Sequence, residues 1–123
     1  MAYIPPDAKW YLADLVVEFR IEGEPDNLVH YNLTLVRADS PEEAYSKALV
    51  FGGHHESSYT NPEGKQVYVV FRGLRDLFVI YDELEDGAEI LYEERQGLSE
   101  EQVASTVAEK AALAVFQPWT PPE

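Results

Sequence analysis

The stretch from Gln66 to Glu93 limits the fold more than any other part of the chain. Two runs rich in β-branched and aromatic residues, Val67–Phe71 and Leu77–Tyr81, are joined through Gly73 and followed by an acidic turn from Asp82 to Gly87. Such runs predict strands. Val67–Phe71 is apolar at consecutive positions, which fits a strand buried on both faces or at the centre of a sheet. Gly73 admits a bulge or bend, and the strand can continue through it. Beyond the turn, Ala88 to Glu94 predicts a final short strand with Ile90 and Tyr92 on one face and Leu91 on the other.

Partner strands stand upstream. From Tyr11 to Ile21 every odd position is apolar, whereas the even positions include Asp14, Glu18 and Arg20. That alternation predicts a strand with one buried face. The turn formers Gly23-Glu24-Pro25-Asp26-Asn27 lead to Val29, Tyr31, Leu33 and Leu35, alternating with His30, Asn32 and Thr34, so the two strands predict an antiparallel hairpin. Ser40 as N-cap, Pro41 at the first helical position and Glu43 to close a capping box predict a helix. Its apolar line Ala44, Ala48 and Phe51, flanked by Tyr45 and Leu49, faces the sheet, and Gly52-Gly53 supplies a left-handed stop. Leu15, Val17, Phe19, Leu33, Leu35 and the Ala44/Ala48 line are expected to share one core. His54 to Gly64 reads as a loop ending in a tight turn at Asn61-Pro62-Glu63-Gly64. A second capping box, Ser99 with Gln102, opens a helix that carries Val103, Val107, Ala111 and Val115 and is stopped by Pro118. The sum is an α+β chain of order ββαβββα, with an antiparallel four- to five-stranded sheet and both helices on one face. Residues 1–9 form a flexible lead-in, 10–117 a single domain and 118–123 an extended tail.

With 123 residues, 23 acidic against 9 basic, the chain carries a formal charge of −14, which argues against nucleic acid or an anionic membrane as a direct partner. No apolar run reaches the roughly 18 residues of a membrane span. The N-terminus lacks the basic and apolar regions of a signal peptide, so a cytoplasmic protein is expected. The absence of cysteine removes disulfides and thiolate chemistry.

Five short motifs follow one another along the chain: Trp10-Tyr11-Leu12-Ala13; Arg37-Ala38-Asp39-Ser40-Pro41-Glu42-Glu43-Ala44 with Lys47-Ala48; Tyr59-Thr60-Asn61-Pro62-Glu63-Gly64; Phe71-Arg72-Gly73-Leu74-Arg75-Asp76; and Asp82-Glu83-Leu84-Glu85-Asp86-Gly87-Ala88-Glu89. In this succession, from Trp10 to Tyr92, the chain resembles a small bacterial family catalogued as domain of unknown function 4288. The resemblance implies a compact α+β domain and brings no activity, cofactor or site residue with it.

The residues offer few sites. His54, His55 and Glu56 are the one cluster of metal-ligand types, but neighbouring histidines in extended chain point to opposite faces, which favours a solvated loop. Asp82, Glu83, Glu85, Asp86 and Glu89 have the composition of a calcium cluster or an acid–base pair, without the EF-hand order, and read first as a solvated acidic turn. Arg72, Arg75 and Asp76 flank Gly73; an Arg–carboxylate contact holding the bend is weighed against an anion-recognising pair. Tyr59, Tyr68, Tyr81 and Tyr92 are expected to pack in the core with hydroxyls at its edge. Arg72, Arg75, Asp76, Asp82, Glu83 and Asp86 thus form the candidate binding surface, with no cofactor and no catalytic set. The reading is a non-enzymatic acidic interaction or oligomerising module, expected as a homodimer because Trp10, Leu12, Val16, Val70 and Tyr68 or Phe78 exceed what one buried face can hold. The alternatives are an inhibitor or immunity-like protein for a basic partner and a small enzyme using the carboxylates around Asp82.

Overall fold

The computed structural model describes residues 3–118. Met1 and Ala2 of the expected lead-in, and Trp119 to Glu123 of the expected tail, lie outside the described residues. Contacts divide the chain into two units, one ending at Leu91 and the other beginning at Tyr92.

The first unit is built on β1 (Trp10–Ile21), β2 (Leu28–Arg37), α1 (Pro41–Gly53), β3 (Ser57–Thr60) and β4 (Gln66–Val79). The strands form one antiparallel sheet in the order β2-β1-β4-β3, so the α+β class and the four-stranded limit of the expectation hold. β1 and β2 make the expected hairpin, paired without slippage from Trp10–Arg37 to Phe19–Leu28.

α1 starts as its sequence dictates. The Ser40 hydroxyl accepts from the Glu43 backbone N–H at 3.1 Å, while Glu43 Oε1 accepts from the Asp39 N–H at 3.1 Å, one residue before the cap. Its buried stripe is Ala44, Ala48 and Gly52, four residues apart, and Phe51 packs at the side. Gly52 and Gly53 do not make a left-handed stop: positive φ occurs at Gly23, Gly64, Gly73, Gly87 and Gly97, and the His54 cap has φ −66°. Gly52 serves closeness instead, since a side chain there would strike the Phe71 ring.

The odd residues of β1 face α1. Tyr11, Ala13 and Leu15 join Val36, Ala38, Ala44, Ala48 and Val79 in the main cluster, and Val17 joins Val67 and Val69 in a second, with Phe19 beside it. Leu33 and Leu35 are not in this core, contrary to expectation: they are 58% and 46% exposed. The register explains it. β2 residues opposite Tyr11, Ala13, Leu15 and Val17 are Val36, Thr34, Asn32 and His30, so the polar side of β2 lies on the helix face and its apolar side on the other.

Two further expectations change. The loop from His54 to Gly64 contains β3, a short polar strand defined by its pairing with β4 from Ser57–Val69 to Thr60–Gln66. Conversely, Ala88 to Glu94 forms no strand, so among the described residues the expected fifth strand is absent and the order is ββαββα. Its alternation is short, and Ile90, Leu91 and Tyr92 are all exposed; a strand needs a paired neighbour as well as a pattern.

In the second unit, α2 (Glu100–Thr106) has the expected capping box, Ser99 Oγ accepting from Gln102 N–H at 3.1 Å and Gln102 Oε1 from Ser99 N–H at 2.9 Å. It stops far short of Val115. Ser105 and Thr106 donate hydroxyls to the Gln102 and Val103 carbonyls at 2.8 and 2.6 Å, local bonds that compete with the helical ladder, and Val107 is extended at φ −87°, ψ 122°. Two 3₁₀ turns follow, Lys110–Ala112 and Ala114–Phe116.

Candidate functional site

The register of β4 against β1 slips twice. Asp14 faces Asp76 but Leu15 faces Leu74, and Val16 faces Gly73 but Val17 faces Phe71. Arg75 and Arg72 are therefore the extra residues of two bulges, separated by Gly73, whose φ of 128° no other residue type adopts easily. The strand runs on through the irregularity, and both arginines reach carboxylates of β1. Arg75 Nε donates to Asp14 Oδ2 at 2.8 Å, Arg75 Nη2 stands 2.8 Å from the same oxygen as an ion pair, and the guanidinium carbon lies 3.8 Å from the centroid of the Tyr31 ring. Asp14 is buried, and its Oδ1 has no hydrogen-bond partner among the described residues. Arg72 Nε stands 3.9 Å from Glu18 Oε1, which also receives Arg20 Nη2 at 3.1 Å, while the Asn27 amide donates to Glu18 Oε2 at 2.6 Å. The Asn27 bond, then the Arg20 bond, hold the Glu18 carboxyl below the usual carboxylate range.

These groups stand on the sheet face opposite α1. Val29, Tyr31, Leu33 and Leu35 of β2 lie there, 40–58% exposed, across from Glu18, Val16, Asp14 and Leu12 of β1. Phe78, Val70 and Tyr68 continue the face on β4, opposite Leu12, Glu18 and Arg20. Arg37 closes one end, 5.9 Å above the Trp10 ring. Four of the chain's five arginines, Arg20, Arg37, Arg72 and Arg75, thus occupy one face, and no strand contains a lysine. Against them stand Asp14, Glu18 and Asp76, so this face is nearly charge-balanced on a chain of −14.

Of the residues singled out from sequence, Arg72, Arg75 and Asp76 gather here. Asp76 Oδ1 accepts from the Leu77 N–H at 2.8 Å, and Arg75 pairs with Asp14 instead. Asp82 and Glu83 line a cleft of about 430 Å³ with Lys9, Trp10, Arg37 and Ile80. Asp82 accepts from the Glu89 N–H at 3.0 Å and is exposed, as are Glu83 and Asp86, without the apolar enclosure an acid–base pair needs. His54, His55 and Glu56 are exposed beyond the end of α1, and among the described residues no group of three or more His, Asp or Glu is placed to hold a metal ion. Tyr59, Tyr68, Tyr81 and Tyr92 are 46–67% exposed, not core residues. Among the described residues no helix is long and apolar enough to cross a membrane.

Asp14 and Glu18 escaped the sequence reading because alternation places them on the face assumed to meet water, and Tyr31 because its apolar side of β2 was expected to face the core. One signal was visible: Asp14 is the single charge between Trp10 and Val17.

Residues 10–92 match the profile of a family described as a domain of unknown function, DUF4288. No curated protein and no solved structure matches the chain.

Proposed function

Because the chain belongs to the DUF4288 family, whose description carries no activity, we propose from its geometry that it is a non-enzymatic interaction module which pairs with a second copy of itself, open sheet face to open sheet face. The carrying observation is the apolar, arginine-rich face itself. Exposed Tyr31, Leu33 and Leu35 beside half-buried Trp10 and Phe78, with arginine present and lysine absent, is the composition of protein interfaces rather than of solvated sheet. β1, β2 and β4 run side by side for about ten residues, a face about 33 Å long and 14 Å wide. Two such faces stack about 10 Å apart, with both sets of side chains between them.

Charge favours a second copy as the occupant. Each chain carries −14, yet the face holds four arginines against Asp14, Glu18 and Asp76. Stacking two copies therefore keeps the acidic surplus on the outside, where solvent and salt screen it. A strongly basic partner would meet its complement elsewhere on the surface.

Sedimentation at micromolar concentration should give twice the 14.0 kDa chain mass at both low and high salt. Leu33→Glu, which puts a carboxylate into the centre of the face, should return the protein to a monomer with unchanged far-UV circular dichroism. A monomeric wild-type chain at both salts would refute the reading.

A further inference from the structure

The cleft of about 430 Å³ at the Trp10 end of the sheet is formed within the first unit. Its volume falls in the range of roughly 300–1,000 Å³ that small-molecule sites occupy. The lining comes from three places. One is a row across the sheet: Trp10 stands opposite Arg37 of β2, and the Ile80 N–H, one residue past β4, donates to the Trp10 carbonyl at 3.0 Å. The second is the segment before β1, with Pro5 and Asp7, and the third is the acidic segment after β4, with Asp82, Glu83 and Leu84. Hydrogen bonds hold these pieces together. The Tyr81 hydroxyl donates to the Tyr3 carbonyl at 3.0 Å, and the Ala38 N–H to the Lys9 carbonyl at 2.9 Å.

The charges that line the cleft do not neutralise one another. Lys9 is committed to Asp39 at 2.8 Å. Arg37, exposed and 5.9 Å from the Trp10 ring centre, has no carboxylate at ion-pair distance among the described residues, and Asp7, Asp82 and Glu83 have no lysine or arginine there. Asp82 is fixed through one oxygen, which accepts from the Glu89 N–H, and its other oxygen is left to accept. A simple anion entering this cleft meets three carboxylates. A simple cation leaves Arg37 unmatched and is repelled by it. A molecule with both charges answers both. We infer that the cleft binds a small zwitterion with an apolar body, the chemistry shared by a free apolar amino acid and a very short peptide. Arg37 donates to the ligand carboxylate, for which its planar fork is the matching donor. The ligand ammonium, with three N–H donors, gives them to Asp82 and Glu83, and the apolar body lies against Trp10 and Ile80. Such a ligand adds no net charge to a chain of −14. The site is complete within one chain, so it stands apart from the paired sheet faces above.

Trp10 and Trp119 are the chain's two tryptophans, so a Trp119→Phe background makes the fluorescence report on the cleft. Four probes are titrated into the full chain: leucine, leucyl-leucine, leucinamide, which keeps only the ammonium, and N-acetylleucine, which keeps only the carboxylate. The inference expects a saturable change in Trp10 emission with a zwitterion, and both blocked analogues binding about tenfold more weakly. Tighter binding of leucine assigns the site to a free amino acid, and tighter binding of leucyl-leucine to a short peptide. Arg37→Gln should weaken the preferred zwitterion about tenfold and leave leucinamide within about twofold, whereas Asp82→Asn combined with Glu83→Gln should spare N-acetylleucine instead. All three side chains are exposed, so these variants keep the wild-type far-UV circular dichroism. No saturable change with either zwitterion at about 10 mM, blocked analogues that bind as well as leucine, or an Arg37→Gln variant that binds every probe as the parent does overturns the inference, whatever mass sedimentation gives.

Discussion

Gly52→Ala puts the closest helix-to-sheet contact under test. An added Cβ would fall well under 3.0 Å from three atoms of the Phe71 ring, closer than real Cβ atoms come. Phe71 is half-buried against the main core cluster, so its ring can give way only by disturbing that packing. Forcing extra volume into a packed site costs about 1–3 kcal/mol. Replacing glycine by alanine inside a helix returns up to about 1 kcal/mol. With the full helix gain the expected net loss is about 0–2 kcal/mol. Gly53→Ala is the control, because its Cβ would meet nothing within 4 Å; only the backbone gain remains, about 0.4–1 kcal/mol in the stabilising direction. Urea titrations followed by far-UV circular dichroism at one fixed protein concentration give both numbers, the fixed concentration keeping any self-association constant. The Phe71→Ala background should shrink the loss from Gly52→Ala by about 1 kcal/mol or more, as expected for residues in contact. If Gly52→Ala stabilises the protein as Gly53→Ala does, α1 does not approach β4 this closely and the packing argument fails.

The Tyr11 hydroxyl is buried without a partner among the described residues, so Tyr11→Phe should leave stability at pH 7 unchanged or raise it by about 1 kcal/mol. Burial first, then the carboxylates of Asp39 and Glu43 against an opposing Lys9, push its ionisation above the ordinary tyrosine value; the native state therefore holds this proton longer than the unfolded state does. The contribution is intact below the unfolded value of about 10 and is lost as pH rises through the folded one, so Tyr11→Phe should flatten the alkaline limb of a stability–pH curve, and superimposable limbs would contradict this. Ser40→Ala removes the acceptor for the Glu43 N–H and should cost about 1 kcal/mol in the same urea assay.

What could be read from the sequence was whatever its local pattern decides. The odd-position alternation of β1 and the Ser40-Pro41-Glu43 start of α1 are local signals, and both elements formed where expected. The face of β2 is not a local matter. Alternation shows that Val29, Tyr31, Leu33 and Leu35 share a side, but only the register with β1 decides which side meets the helix, and that register turns them away from it. β3 has no pattern of its own and exists through β4, whereas Ala88 to Glu94 has a pattern and no partner. α2 ends at Thr106, where the Ser105 and Thr106 hydroxyls bond back to the Gln102 and Val103 carbonyls, although a run of helix formers follows.

The candidate site was hidden for a related reason. Net charge describes the chain as acidic, and the sequence leads to the expectation of an Arg–carboxylate contact beside Gly73, which Arg75 makes with Asp14, without showing which carboxylate or which face. Only the two slips in register show Arg72 and Arg75 to be extra residues, each carried out of the ladder toward a carboxylate of the neighbouring strand. A single bulge would turn the strand and present one arginine; two bulges around a left-handed Gly73 present both on the same face while the apolar residues on either side, Val67 to Phe71 and Leu77 to Val79, stay in the sheet. The consequence is a segregation that composition averages away: an acidic protein with four of its five arginines on one sheet face beside exposed Tyr31, Leu33 and Leu35. On the self-association proposed above, Leu33 and Tyr31 of that face would supply the apolar contact between the two copies.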